Sequence, residues 1–282
     1  MRSPLRTSLL VGLALAAIAL LAGLAACLAW PRATRQQVAA LAGPAPAHSP
    51  VRYDPADLAG LPAPVVRYFA RVLTPGQRIY RRARIDQTGQ MARDRARWMS
   101  FTATHVLHAG PPGFVWDARL DMIPLVGVRV RDGYHAGRGA MLVRAAGVVP
   151  IVDQNGTLEM AQASLLRWLA EAPWMPTALL PCAGVRWAPV DDSTAVASIA
   201  DAGVEVRMTV HFAPTGEIAR ITAMRHRDVG GGRLALTPFE ARSWDYARVD
   251  GMLVPRAGEA GWRLADGWFP YWRGRMERVE FE

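Results

Sequence analysis

Lysine is absent from this chain of 282 residues, so all 33 of its basic side chains are arginine. An all-arginine choice follows most simply from a GC-rich coding sequence. It weakens any step from the net charge of +9 to nucleic acid, and no nucleic-acid-binding motif accompanies the charge. Cysteine is nearly absent too, with only Cys27 and Cys182 present. Cys27 falls in the apolar amino-terminal stretch, so no disulfide can form within the domain that follows, and cysteine usage is silent on redox compartment. No HExxH, GxSxG, P-loop or CxxC pattern occurs, which removes the commonest sequence routes to a metal, nucleophilic or nucleotide site.

What is present begins with residues 9–30, a run of 22 residues without a charge. As a helix at about 1.5 Å per residue it covers the ~30 Å apolar core of a bilayer. It exceeds the usual ~7–15 residues of a signal-peptide core, which favours an uncleaved transmembrane helix. Leu24-Ala25-Ala26-Cys27 is similar to a lipobox, so lipidation at Cys27 is the alternative, and simple cleavage is a third. Arg2 and Arg6 are balanced by Arg32 and Arg35, leaving the free amino terminus to tip the count. The expectation is a single-pass inner-membrane protein with its domain on the extracytoplasmic side.

Residues 31–60 hold Pro44, Pro46, Pro50 and Pro55 and read as a linker with little regular structure; residues 61–282 suffice for one large domain. Nine arginines between Arg67 and Arg97 face only Asp86 and Asp94, so this window carries +7 of the net charge. A solvated face is the plain reading. The sharper one places Arg78, Arg81, Arg82 and Arg84 against anionic headgroups.

Val65, Val66, Phe69, Val72 and Leu73 predict a helix over 63–73, stopped by Thr74-Pro75-Gly76. Beyond Arg78 the period is two. Phe101, Ala103, His105 and Leu107 alternate with mostly polar neighbours (Val106 excepted), as do Phe114, Trp116, Ala118 and Leu120 (Val115 excepted), then Val204, Val206, Met208 and Val210. Such alternation marks antiparallel strands with one buried face. Turn signals stand at Asp132-Gly133, Asn155-Gly156, Thr215-Gly216, Asp250-Gly251 and Asp266-Gly267, giving about ten strands in a meander. Leu158, Ala161, Leu165, Trp168, Leu169 and Ala172 break the rhythm with helical spacing. The expected fold is mainly β (α+β): a large curved antiparallel sheet or half-barrel with a central helix packed against it, plus the amino-terminal transmembrane helix.

The stretch Leu166-Arg167-Trp168-Leu169-Ala170-Glu171-Ala172-Pro173-Trp174-Met175-Pro176-Thr177-Ala178-Leu179-Leu180-Pro181 resembles the central motif of a bacterial family known only as a domain of unknown function. Leu61-Pro62, Val66-Arg67-Tyr68-Phe69, Gly113-Phe114-Val115-Trp116-Asp117 and Gly267-Trp268-Phe269-Pro270-Tyr271-Trp272 belong to the same resemblance, which extends over most of residues 61–282. It implies no activity and no catalytic residues. The strand–helix–strand layout also resembles the half-barrels of periplasmic lipoprotein carriers, an architectural analogy that leaves function open.

His105 and His108 lie three apart on one strand, on opposite faces, and His135, His211 and His226 sit in separate segments, so no metal site is expected. His105 shares its face with apolar residues. It reads first as a core histidine hydrogen-bonded to a neighbour, and otherwise as a polar contact in a pocket. Arg167 and Glu171 are spaced for an i,i+4 pair in the weaker orientation, expected to contribute little if exposed. No nucleophile, base and orienting group can be assembled, so the sequence points away from an enzyme while leaving an unrecognised site open.

Among ten tryptophans most are expected in the core. Trp98, Phe101, Phe114, Trp116, Tyr134, Trp168 and Trp174 are also candidates to line a cavity, Trp116 and Trp174 foremost, with Glu171 or His105 as polar contact. The expected function is non-catalytic binding of a lipid or other hydrophobic molecule by a membrane-tethered envelope domain. No cofactor, metal or nucleic-acid partner is expected. A scaffold for a membrane-protein complex is the alternative.

Overall fold

The two-residue alternation forms a single antiparallel sheet. The computed structural model describes residues 13, 14, 17, 23, 28–42, 51–92, 94–123 and 126–282. Most of the 9–30 run, Cys27 included, lies outside the described residues. Among those described, no helix is long and apolar enough to cross a membrane. The strands are β1 (Arg82–Ala92), β2 (Trp98–His108), β3 (Gly113–Ile123), β4 (Val126–His135), β5 (Arg138–Ala145), β6 (Val149–Asn155), β7 (Arg186–Asp191), β8 (Thr194–Asp201), β9 (Val204–Phe212), β10 (Ile218–Asp228), β11 (Leu234–Val249), β12 (Met252–Leu264) and β13 (Gly267–Phe281). Their spatial order is β6-β5-β4-β3-β2-β1-β13-β12-β11-β10-β9-β8-β7. Two meanders therefore meet where β1 pairs with β13, Ala83 opposite Phe281 and Met91 opposite Trp272.

Among the described residues, three α-helices accompany the sheet. α1 covers residues 28–41, α2 is Ala63–Val72 and α3 is Leu158–Glu171. α2 buries Val65, Tyr68, Phe69 and Val72, the face its spacing predicts. α3 starts on Thr157, whose hydroxyl accepts from the Met160 amide at 3.1 Å, and buries Leu165, Trp168 and Leu169 completely. Each such side chain is worth about 1.5–3 kcal/mol on removal from water. Short turns at Ala172–Trp174, Pro176–Leu179 and Pro181–Ala183 lead from α3 to β7, with Pro176 opening the second.

The sheet is open but strongly curled. β5 and β9 lie nine strand positions apart, about 43 Å on a flat sheet at ~4.8 Å per strand. Yet α3, about 21 Å long at ~1.5 Å per residue, packs against both. The two meanders also touch directly. The Tyr134 hydroxyl of β4 donates to Asp201 at the end of β8 (2.8 Å), and the Gln154 amide of β6 donates to Asp228 at the end of β10 (2.8 Å). α3 sits inside this curl and α1 outside it. Trp30 of α1 donates through Nε1 to Asp117 (2.9 Å) and lies under the Arg131 guanidinium at 4.6 Å, while Leu41 packs on Val106 and Val115.

Four expectations require correction. Residues 31–41 are helical rather than irregular: the prolines all fall beyond Pro31, and the Arg-, Gln- and Ala-rich stretch between consists largely of helix formers. Asp132-Gly133 is mid-strand in β4, not a turn, because the chain reverses at Ala136-Gly137, both at positive φ (47° and 76°). Asn155-Gly156 leads into α3 rather than a hairpin. Among the described residues the strand count is thirteen rather than about ten. β6 and β7, at the two edges, alternate poorly and carry Pro150 and Pro189, the edge placement proline tolerates.

Candidate functional site

Inside the curl, between α3 and the concave face, lies a cavity of about 540 Å³. Its walls are mostly apolar: Trp116, Leu120, Val128 and Val130 from β3 and β4, Phe239 and Ala241 from β11, Trp262, Tyr271 and Trp272 from β12 and β13, and Trp174 beyond α3. Strand alternation places these side chains. Trp116, with Phe114, Ala118 and Leu120, occupies the inward positions of β3, while Asp117 points out to α1.

One end of the cavity holds a buried polar group of residues. Arg167, on α3, donates through Nη1 to Asp132 (2.5 Å) and through Nε to Glu171 (2.9 Å). Its guanidinium also stacks on Phe114 and Trp116, 5.1 and 5.0 Å from the ring centres. Side-chain exposures of 15%, 3% and 16% for Arg167, Asp132 and Glu171 show that this is no weak surface pair. Burial opposes the Arg167 charge, but Glu171 and Asp132 outweigh it and hold its pKa above the ordinary value. Burial pushes the Glu171 carboxyl up despite Arg167 beside it.

His105 lies 3.5 Å from Glu171 Oε2, completely buried, stacked on Phe114 at 5.6 Å and edge-on to Trp174 at 5.8 Å. Burial, reinforced by Arg167, pulls its pKa well below the ordinary histidine value. Among the described residues, neither ring nitrogen has a hydrogen-bond partner, and Glu171 Oε2 and Asp132 Oδ1 also lack one, so the hydrogen bond expected of a core histidine is not formed there.

Of the side chains singled out in the sequence, Trp116, Trp174 and Glu171 line the cavity. The others stand elsewhere. Phe101 is buried between Trp116 and Trp272 (5.5 and 6.0 Å), Phe114 and His105 lie behind Arg167 and Glu171, and Trp168 donates to the His108 carbonyl at 2.8 Å. Tyr134 is held by Asp201, and Trp98 stacks under Arg273 at 4.5 Å. These five inward aromatic and imidazole rings (Phe101, Phe114, Trp168, Tyr134 and His105) support the wall rather than form it. Of the four arginines considered for a membrane surface, Arg78 stacks on Tyr80 (5.4 Å), Arg81 is exposed, Arg82 pairs with Glu282 (3.0 Å) and Arg84 with Asp86 (3.4 Å).

The cavity also contains residues that sequence reasoning passed over. Asp132 was hidden by its turn-like neighbour Gly133. Arg225 and Arg227 share a strand face with the buried Ile221, where period-two reading ends in two charges instead of apolar groups. Trp262, Tyr271 and Trp272 complete the wall, the latter two inside the Gly267–Trp272 block. Among the described residues, no group of three or more His, Cys, Asp or Glu side chains converges as a metal site.

Fold and cavity together define a mainly β domain: an open thirteen-stranded antiparallel sheet curled about one helix, with an apolar chamber between them. Residues 51–274 match the family of unknown function DUF6544, and the chain belongs to that family. No curated protein matches the sequence. Among solved structures, the chain is similar to a LolA superfamily protein, NE2245 from Nitrosomonas europaea, at 10% identity over 79% of this chain and 94% of the other, with a TM-score of 0.37. It is also similar to a β-barrel-like protein of the domain of unknown function DUF1849 from Brucella abortus, at 9% identity over 72% and 98% of the two chains, with a TM-score of 0.27.

Proposed function

We propose that the domain binds a lipid or other hydrophobic molecule in the chamber between α3 and the concave face of the sheet. The observation that carries this reading is the chamber itself. At about 540 Å³ it falls in the range of roughly 300–1,000 Å³ typical of small-molecule pockets, with mainly apolar walls and a few polar groups at defined places. A folded core of this size ordinarily fills such a space with side chains. Entry is by the gap between β6 and β10: Ile151 lines the chamber yet is 53% exposed, and the Gln154–Asp228 hydrogen bond bridges the gap beside it.

The reading keeps residues 9–30 as a tether to the inner membrane, with the domain outside the cytoplasm, supported by the length and lack of charge of that run. Lipidation at Cys27 is the alternative anchor, and the mass of the mature amino terminus distinguishes them.

Displacement of a fluorescent apolar probe tests the binding. Ala241, on β11, lines the chamber, and Ala241→Phe fills part of it. The full chain in detergent is expected to bind the probe with saturation, and Ala241→Phe to weaken binding by about tenfold or more, since one blocked ring-sized contact is worth about 1.5–3 kcal/mol. Unsaturable binding, or identical affinity for both proteins, contradicts a ligand in this chamber.

A further inference from the structure

We infer that the molecule held in the chamber carries an anionic head, a carboxylate or phosphate, and that Arg225 and Arg227 of β10 receive it. The inference rests on the chamber reading above and adds the polar half of the ligand.

The charges along the chamber wall are not equivalent. Asp132 and Glu171 share Arg167. Glu259 is held by Arg273 at 2.6 Å, and Arg242 by the buried Glu240 at 2.7 Å. Asp228 accepts from the Gln154 amide and from the Gly230 backbone (2.7 Å). Each of these wall carboxylates thus has a donor.

Arg225 and Arg227 line the same chamber and form no ion pair among the described residues. Arg225 is held at hydrogen-bond distance by uncharged acceptors: Nε donates to the Ala163 carbonyl of α3 (3.0 Å) and Nη1 to the Tyr271 hydroxyl (2.9 Å), while Glu171 acts on it only through space. Arg227 Nε is buried without a hydrogen-bond partner among the described residues. Both guanidinium groups lie against the Trp262 ring, at 5.7 and 5.9 Å, which fixes their planes beside the apolar wall. Trp262 in turn stacks on Tyr271 at 5.4 Å.

A buried donor left unsatisfied costs free energy, and guanidinium groups match carboxylate and phosphate oxygens in geometry. Two such groups, two residues apart on one strand face, form a receiver for one anion. They stand beside Asp228, whose bond to Gln154 bridges the proposed entry, and Phe239, Ala241 and Trp174 offer apolar wall beyond. An amphiphile entering tail first would leave its head between them.

Hexadecanol, hexadecanoate and hexadecyl phosphate share one tail and differ only in the head, so comparing their affinities for the full chain tests the inference. Trp262, Trp272 and Trp174 provide the fluorescence signal. Either anion is expected to bind about tenfold or more tighter than the alcohol, as charge-assisted hydrogen bonds require. Preference for one anion identifies the head as carboxylate or phosphate. Arg227→Gln should erase most of the preference by weakening the two anions far more than hexadecanol, and Arg227→Lys should retain part of it. Arg227 makes no hydrogen bond through Nε, so these variants spare the Arg225 contact to α3 and the fold it supports. Equal affinity for all three compounds overturns the anionic head and leaves the chamber reading standing. Failure of all three to bind contradicts the chamber reading and this inference with it.

Discussion

His105 and Glu171 stand 3.5 Å apart with opposite shifts, and their chemistry shows what burial does to two neighbouring groups. Burial and Arg167 keep the imidazole neutral, whereas burial raises the Glu171 carboxyl. A histidine whose folded pKa lies below its unfolded value takes up protons more readily in the unfolded chain. His105 therefore lowers stability as pH falls below about 6.5, its unperturbed value. His108 and His211, also depressed mainly by burial, act with the same sign. Glu171 acts in the opposite direction, because its folded form holds a proton more tightly than the unfolded chain does. Urea midpoints from pH 7.5 down to 5.0 are expected to fall for the wild type. His105→Gln should flatten that fall by up to about 1.4 kcal/mol per pH unit, the contribution of one proton. Superimposable profiles would mean that His105 takes up a proton in the folded chain as easily as in the unfolded one.

At the scale of elements, what the sequence reveals follows from how locally each element is specified. Helices α2 and α3 could be read because their apolar spacing lies within a few residues, with Thr74-Pro75-Gly76 marking the end of α2, whereas the Thr157 cap of α3 was recognised only in the structure. Strands β2 and β9 were equally plain, since Phe101, Ala103, His105 and Leu107, and likewise Val204 to Phe212, alternate toward the concave core, although Val106 on the outer face of β2 is buried under α1. The hairpin turns with Asp-Gly at 250–251 and 266–267 appear where their residues predict. Turns built on alanine did not declare themselves. Ala136, Ala146 and Ala202 occupy positive φ (47°, 49° and 46°), each before a glycine, a conformation that alanine adopts only at a cost. Ala146 gives a direct check, since a Cβ at Gly147 beside it would meet open space and the Val148 amide closes the turn on Ala145 at 3.0 Å. Ala146→Asn should stabilise the β5–β6 hairpin by about 0.5–1 kcal/mol, because asparagine tolerates the left-handed region. An unchanged or lower thermal midpoint would show that the turn carries no such strain. The site was less legible than the fold because its members come from β3, β4, α3, β10, β11, β12 and β13. Trp116 and Trp174, named from their residue type, and Glu171, named from its place in the central motif, line the chamber. Asp132, Arg225 and Arg227 acquire meaning only when the sheet curls and brings strands nine positions apart against one helix.

The whole molecule is a sheet that stops short of closing. Its two meanders meet through Tyr134–Asp201 and Gln154–Asp228, while β6 and β7 remain edges, and α3 occupies the interior that a closed barrel would fill with side chains. The curl leaves a chamber beside α3, and the match to DUF6544 over residues 51–274 includes every residue that lines it. The account's central claim is that this chamber holds a hydrophobic molecule in the cell. Native mass spectrometry of the full chain, released from envelope membranes in a mild detergent and followed by organic extraction, addresses it directly. The account predicts one small amphiphile per chain, retained by the wild type and lost from Ala241→Phe. A wild-type protein that emerges at its bare polypeptide mass, or one whose adduct survives unchanged in Ala241→Phe, would contradict it.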